Sequence, residues 1–152
     1  MSLLLDEGIH LLIALLIAFL LSGRSRDWQI YLSAFIVGIL PDVDHWFDYF
    51  LYFGPQISLV KFFSIGKYID LAGKIYLPFH GIELALPLCL IGKWLEKKLK
   101  IKHLGKVLPL VYLGHLSWDY FTAKPALLGY SLIYRLLTDF DLDCFHRPGC
   151  WW

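Results

Sequence analysis

Residues 28–45, WQIYLSAFIVGILPDVDH, decide the fold: an apolar run from Trp28 to Leu40 stops at Pro41 and passes directly into Asp42, Asp44 and His45. Proline has no N–H to offer a helix interior, so the helix ends there, and ionisable side chains follow a hydrophobic segment without a spacer. The same juxtaposition recurs along the chain. His10 lies in the run Ile9–Leu21, His80 and Glu83 in Leu77–Trp94, and His115 and Asp119 in Val107–Phe121, with a weaker apolar run at Ala126–Leu137. An ionisable group in hydrocarbon costs several kcal/mol, so it persists mainly when paired, bound to a metal or lining a polar cavity. His10, Asp42, Asp44, His45, His80, Glu83, His115 and Asp119 are therefore read together as one metal site.

The background composition sets the solvent. Of 152 residues, 58% are hydrophobic and six are Trp, and the mean hydropathy is +0.58; this exceeds the ordinary soluble range. The chain reads as a membrane protein. A net charge of +1 with no basic stripe argues against nucleic acid as a partner, because phosphate contacts need clustered Lys and Arg. A helix needs roughly 20 residues to cross a bilayer core of about 30 Å. The first two runs reach that length only by absorbing their polar ends, so Asp6, Glu7 and His10 fall within the first span. The expected fold is all-α: an integral membrane bundle of about four short transmembrane helices in two hairpins, with interfacial segments and a weaker C-terminal helix. Residues 1–152 are expected to form a single membrane-embedded domain.

Charge order sets the topology. A secretory leader is basic before its apolar run, whereas here Asp6 and Glu7 precede it and Arg24 and Arg26 follow. The first helix reads as an uncleaved anchor with its N-terminus outside. Lys- and Arg-rich short loops stay cytoplasmic, which keeps the Arg24–Arg26 loop and the Lys97–Lys102 loop inside. Trp28 and Trp94 then mark the inner interface, Trp46 and Trp118 the outer one, and Tyr49–Lys74 lies against the outer face. On this map every unusual donor falls at the outer end.

Spacing refines the site. His115 and Asp119, four apart on a helix, share a face, and Gly114 lets another helix approach. His80 and Glu83, three apart, share a face of a third helix whose first turn holds Pro78. Asp42 and Asp44, two apart in an extended break, would point the same way. Imidazole with carboxylate suits a divalent ion, Zn or Mn foremost. The donors are numerous enough for one ion or for a pair roughly 3.5–4 Å apart. Each motif also has a plainer reading. His10 could be a core histidine bonded to Asp6 or Glu7, Asp42 a helix cap, and His115–Asp119 an interhelical polar lock. His45 and Asp48 read as groups supporting the ligands or as interfacial residues, and His103 as a solvated loop residue.

An early membrane-embedded His10, the break Pro41-Asp42-Val43-Asp44-His45, His80 opening the third helix, and Gly114-His115-Leu116-Ser117-Trp118-Asp119 with Phe121-Thr122 behind it resemble the YdjM-type membrane-bound metal-dependent hydrolases over about residues 8–125. The resemblance implies His10, Asp42, Asp44, His80, His115 and Asp119 as metal ligands and a hydrolytic activity. A His-Arg pair common in the family falls at Ile75 and Tyr76 here. Glu83 then supplies the missing ligand, or the site holds one metal, or catalysis is lost.

Two functions follow. One is a membrane hydrolase in which metal-activated water attacks a phosphoester or other ester at the interface, with Asp44, Glu83 or Asp119 moving protons. The other is a non-enzymatic subunit of a larger membrane complex, with the His/Asp cluster as a structural metal site or polar network. Membrane lipids, and in the second case other membrane subunits, are the expected partners. The expected location is a prokaryotic plasma membrane with the site near the non-cytoplasmic face. In the tail, Asp139, Asp141, Asp143 and His146 read as solvated, Cys144 and Cys150 as a disulfide candidate on the outside, and Trp151-Trp152 as an interface anchor.

Overall fold

The computed structural model describes residues 3–22, 27–55, 58–62, 67–147 and 150. Among these the chain is all-helical, with α1 (Leu3–Ser22), α2 (Trp28–Ile39), α3 (Asp44–Phe53), α4 (Leu59–Phe62), α5 (Lys67–Ala72), α6 (Ala85–Leu99), α7 (Leu104–Ala123), α8 (Leu132–Leu137) and α9 (Leu142–His146). Tighter 3-10 turns occupy Pro41–Val43, Pro78–His80 and Ile82–Leu84. Two helical runs, Leu5–Ser22 and Trp28–Phe53, are long and apolar enough to cross a membrane. The Arg24–Arg26 loop and the Trp151-Trp152 anchor lie outside the described residues. The chain divides into two compact units: Met1–Pro41 with Glu83–Asp119, and Asp42–Ile82 with Tyr120–Trp152.

In the first unit, α1 is sorted by side-chain size. His10, Ala14, Ala18 and Ser22 recur every four residues and are buried, while Leu12, Leu16, Phe19 and Leu20 are exposed. A helix in water buries its large apolar residues; in lipid, small residues take the packing face because contact there comes from close backbone approach. From α2, Ile30, Ala34, Val37 and Gly38 face inward. A Cβ on Gly38 would lie 2.8 Å from Ala14 Cβ, so α1 and α2 meet where only a glycine fits. At Gly114 a Cβ would lie 2.8 Å from Ile17 Cδ1, which is the close helix approach expected beside His115. Much of the interior comes from α7, which buries Leu104, Val107, Leu108, Val111, Tyr112, His115, Leu116 and Asp119. Glu96 caps the start of that helix: its carboxylate accepts the N–H groups of His103 and Gly105, each at 3.1 Å. The Gly105 bond first, then that of His103, holds the Glu96 carboxyl below its usual range.

Two expected helices begin later than their apolar runs. The third starts at Ala85 rather than Leu77, because Leu77 adopts a left-handed backbone (φ 38°) and Gly81 an extended one (φ −89°, ψ 120°). Residues 77–84 are wound into two separate turns instead. His80 and Glu83 consequently sit on different turns rather than on one helical face. The weak run Ala126–Leu137 contracts to α8, whose start is set by the Ser131 hydroxyl accepting the Tyr134 N–H at 3.1 Å.

Aromatic packing and one buried clamp organise the second unit. Tyr49 is fully buried with Phe62, Trp46 stacks on Phe62 with ring centroids 3.6 Å apart, and the Tyr49 hydroxyl donates to the Ser58 carbonyl. The dipeptide Tyr76–Leu77 is held from both sides. Asp48 accepts its two N–H groups at 3.1 and 3.3 Å, and Arg135 Nη1 donates to its two carbonyls at 2.6 and 3.0 Å. A non-glycine residue in the left-handed region costs roughly 1–2 kcal/mol. The four hydrogen bonds offset that cost and fix Leu77 three residues before His80.

Candidate metal centre

The described donors gather into two groups, each within one unit: His10, His115 and Asp119 in the first, and Asp42, His45 and His80 in the second. Each group offers two imidazoles and one carboxylate.

The first group stands on two long helices. Helical periodicity puts His115 and Asp119 one turn apart on α7, and His115 Nε2 lies 3.1 Å from Asp119 Oδ2. From α1, His10 Nε2 reaches Asp119 Oδ1 at 3.0 Å, and the two imidazoles stack with centroids 3.8 Å apart. His10 Nε2 thus pairs with Asp119, and Asp6 accepts the Trp118 indole N–H at 2.7 Å. His115 Nδ1 is 2.9 Å from the Gly38 carbonyl. A carbonyl can only accept, so Nδ1 carries the proton and a neutral His115 would turn the lone pair of Nε2 toward a carboxylate oxygen. That contact is met by a proton on the ring, by a proton on the Asp119 carboxyl or by a metal ion. Stacked imidazoles disfavour charging both rings, since like charges that close repel in a buried site.

Two 3-10 turns and the start of α3 carry the second group. Pro41 begins a 3-10 turn that runs directly into α3, so the Asp42–Asp44 stretch is helical rather than extended, and the two carboxylates do not point the same way. Asp44 is fully buried and both its oxygens lie 3.0 Å from His80 Nδ1; Oδ2 also accepts the Phe79 N–H at 2.7 Å. A carboxylate in this role fixes the tautomer, which puts the ring's lone pair on Nε2 of His80, a ligand atom. Nε2 lies 3.8 Å from Asp42 Oδ1, and His45 Nε2 lies 3.9 Å from the same oxygen. Ligands about 2.0 Å from a tetrahedral zinc stand roughly 3.3 Å apart. The first group's separations fall below that value and the second group's above it, and within each group the ligand atoms all lie within 4.8 Å of one another, so each could hold a metal ion.

Several expected donors take other positions. Asp44 stands behind His80 as its orienting carboxylate. Glu83, on the turn Ile82–Leu84, belongs to neither group. His45, read from sequence as a supporting residue, joins the second group because the turn at Pro41–Val43 brings it onto the Asp42 side. Arg135 was missed altogether. Its signal was present: a lone Arg inside Leu132–Leu137 is the same kind of ionisable residue in an apolar run that marked the histidines. Compared with protein-family models, curated proteins and solved structures, the chain matches none.

Proposed function

We propose that the chain is a membrane-embedded metal-dependent hydrolase of the YdjM type, acting on a phosphoester or other ester at the non-cytoplasmic interface. In this reading α1, α2, α6 and α7 are four short spans in two hairpins. The inverted sorting of α1 and the exposed Leu86, Leu90, Ile91 and Trp94 of α6 support an apolar surround.

The observation that carries the hydrolytic reading is the oriented imidazole of His80 beside Asp42 and His45. Three protein ligands with further positions open is the pattern of catalytic divalent-metal sites. Asp42 and His45 keep 15% and 19% of their side-chain surface exposed, which gives solvent access to that side of the group. A divalent ion held by Asp42, His45 and His80, with Zn or Mn favoured, supplies Lewis acidity and makes water nucleophilic near neutral pH. Asp44 keeps the His80 Nδ1 proton in place. Asp48 and Arg135 hold the backbone that aims His80. The His10–His115–Asp119 group, with its imidazoles 2% and 1% exposed, is closed, and an ion there ties α1 to α7.

Detergent-purified protein loaded with Zn or Mn is expected to hydrolyse a chromogenic phosphodiester or carboxylic ester, and His80→Ala to abolish turnover. Metal bound in the absence of turnover on either ester class would favour the accessory-subunit reading. For that alternative the exposed Phe47, Phe50, Leu51 and Tyr52 of α3 provide a face for a partner.

A further inference from the structure

The turn between α6 and α7 belongs to neither donor group: on α7, Lys106 stands nine residues before His115, about 14 Å along the axis at roughly 1.5 Å per residue. Six lysines surround the turn, Lys93, Lys97, Lys98, Lys100, Lys102 and Lys106, and all are exposed. Glu96 is the one acidic residue in that stretch, and its carboxylate is occupied by the His103 and Gly105 N–H groups. The corner is therefore strongly cationic in a chain whose net charge is only +1. It is also rigid. A Cβ on Gly92 would lie 2.5 Å from the Leu104 carbonyl oxygen, so the two helices meet backbone to backbone, and Ile101 is buried between the exposed Lys100 and Lys102. Lys100 ends α6 in the left-handed region (φ 57°), where glycine is the unstrained choice. A lysine there keeps a positive charge at a cost to the backbone.

Along α6 the cationic corner runs into apolar surface. Leu86, Leu90, Trp94 and Lys98 recur every four residues, so they follow one another along one side of the helix, and all four are exposed. The Lys98 ammonium lies 4.6 Å from the centre of the Trp94 ring, a cation–π contact. Over about 18 Å of helix the exposed groups pass from aliphatic to aromatic to cationic, the order of acyl chain, interface and phosphate across one leaflet. A soluble polyanion would match the lysines alone; an acidic phospholipid matches the whole stripe. We propose that the Leu86–Lys98 stripe and the α6–α7 turn bind an acidic phospholipid of the cytoplasmic leaflet, its acyl chain along Leu86 and Leu90 and its phosphate among Lys97, Lys98 and Lys100. The site rests on the membrane placement proposed above. A lipid with a choline headgroup carries its own compensating cation and is held less firmly, whereas clustered lysines beside a span attract acidic headgroups.

The test titrates the full-length detergent-solubilised chain with phosphatidylglycerol or with phosphatidylcholine of the same acyl chains and follows the lipid retained per protein by native mass spectrometry. Phosphatidylglycerol is expected to bind on the order of tenfold more tightly. The combined substitution Lys97→Gln, Lys98→Gln and Lys100→Gln, all at exposed positions, should bring it down to the level of phosphatidylcholine. Neither glycerol 3-phosphate nor a single-stranded oligonucleotide should displace it. As a second readout, phosphatidylglycerol with brominated acyl chains should quench the fluorescence of the wild type more than that of Trp94→Phe. Equal retention of the two lipids, a preference that survives the triple substitution, displacement by either soluble phosphate, or equal quenching of wild type and Trp94→Phe overturns the proposal. Extraction of cell membranes with alkaline carbonate separates the two readings: a chain released by it loses the membrane placement and this site with it, whereas a chain that stays in the membrane without preferring phosphatidylglycerol loses this site alone.

Discussion

The two donor groups have the same composition and opposite supports. His10, His115 and Asp119 stand on long helices, each imidazole lies 3.0–3.1 Å from Asp119, and the group is almost closed to solvent. Asp42 and His80 stand on short turns and His45 on the first turn of α3; each imidazole lies 3.8–3.9 Å from Asp42, and Asp42 and His45 stay partly exposed while His80 is buried. What the first group takes from helical periodicity the second takes from supporting side chains: Asp44 behind His80, and the Asp48–Arg135 clamp around a strained Tyr76–Leu77. Rigidity that a helix provides at no added cost must be built from buried hydrogen bonds where donors sit on turns, and there Asp42 and His45 stay partly exposed.

The comparison breaks most readily at the clamp. Arg135→Ala removes the donor for two buried carbonyls, each worth about 1–3 kcal/mol when left unsatisfied. A loss of about 3 kcal/mol in chemical unfolding of the detergent-solubilised protein is therefore expected, along with loss of metal from the turn group and retention in the helix group. Equal loss from both groups would show that the clamp does not act selectively. Next in size is Asp44→Asn. One of the two oxygens beside His80 Nδ1 becomes an NH2 donor and the other a neutral, weaker acceptor, and disturbing such an orienting partner typically weakens metal affinity about 10–100-fold. Chelator competition should detect that drop; an affinity within twofold of wild type would deny Asp44 its orienting role.

A substitution on the other side sharpens the contrast. Gly38→Ala forces a Cβ to within 2.8 Å of Ala14 Cβ, and overpacking of this kind costs about 1–3 kcal/mol. Because Gly38 also supplies the carbonyl that fixes His115, metal at the helix group should weaken while the turn group keeps its affinity. The smallest effect is at Glu96. Its folded pKa lies below the ordinary 4.5, so the cap's stabilisation is fully present above that value and is lost as pH falls through the lowered folded one. Thermal unfolding of wild type and Glu96→Gln should therefore differ slightly at pH 7 and converge in acid; a difference that persists at low pH would mean that the carboxylate charge is not what caps α7.

What was legible in the sequence follows the same division. The apolar runs of α1, α2 and α7 and the His115–Asp119 pairing were readable because a helix fixes the direction of residues four apart whatever surrounds it. Leu77 gave no such cue. Nothing in its side chain announces a left-handed backbone, which arises from tertiary hydrogen bonds to Asp48 and Arg135, and the start of α6 was misplaced by eight residues as a result (Leu77 against Ala85). Pro41 correctly marked a break but not its conformation. An extended break would have aligned Asp42 with Asp44; the 3-10 turn aligned Asp42 with His45 instead. Glu83 looked like a partner of His80 only because both were assigned to one helix.

The most direct test of the account is the divalent-metal content, by elemental analysis, of detergent-purified wild type, His80→Ala and His115→Ala prepared in parallel. Two equivalents in the wild type and one fewer in each variant are predicted, with hydrolytic turnover surviving only where His80 is intact. A wild type without metal, or a content unchanged by both substitutions, would contradict it.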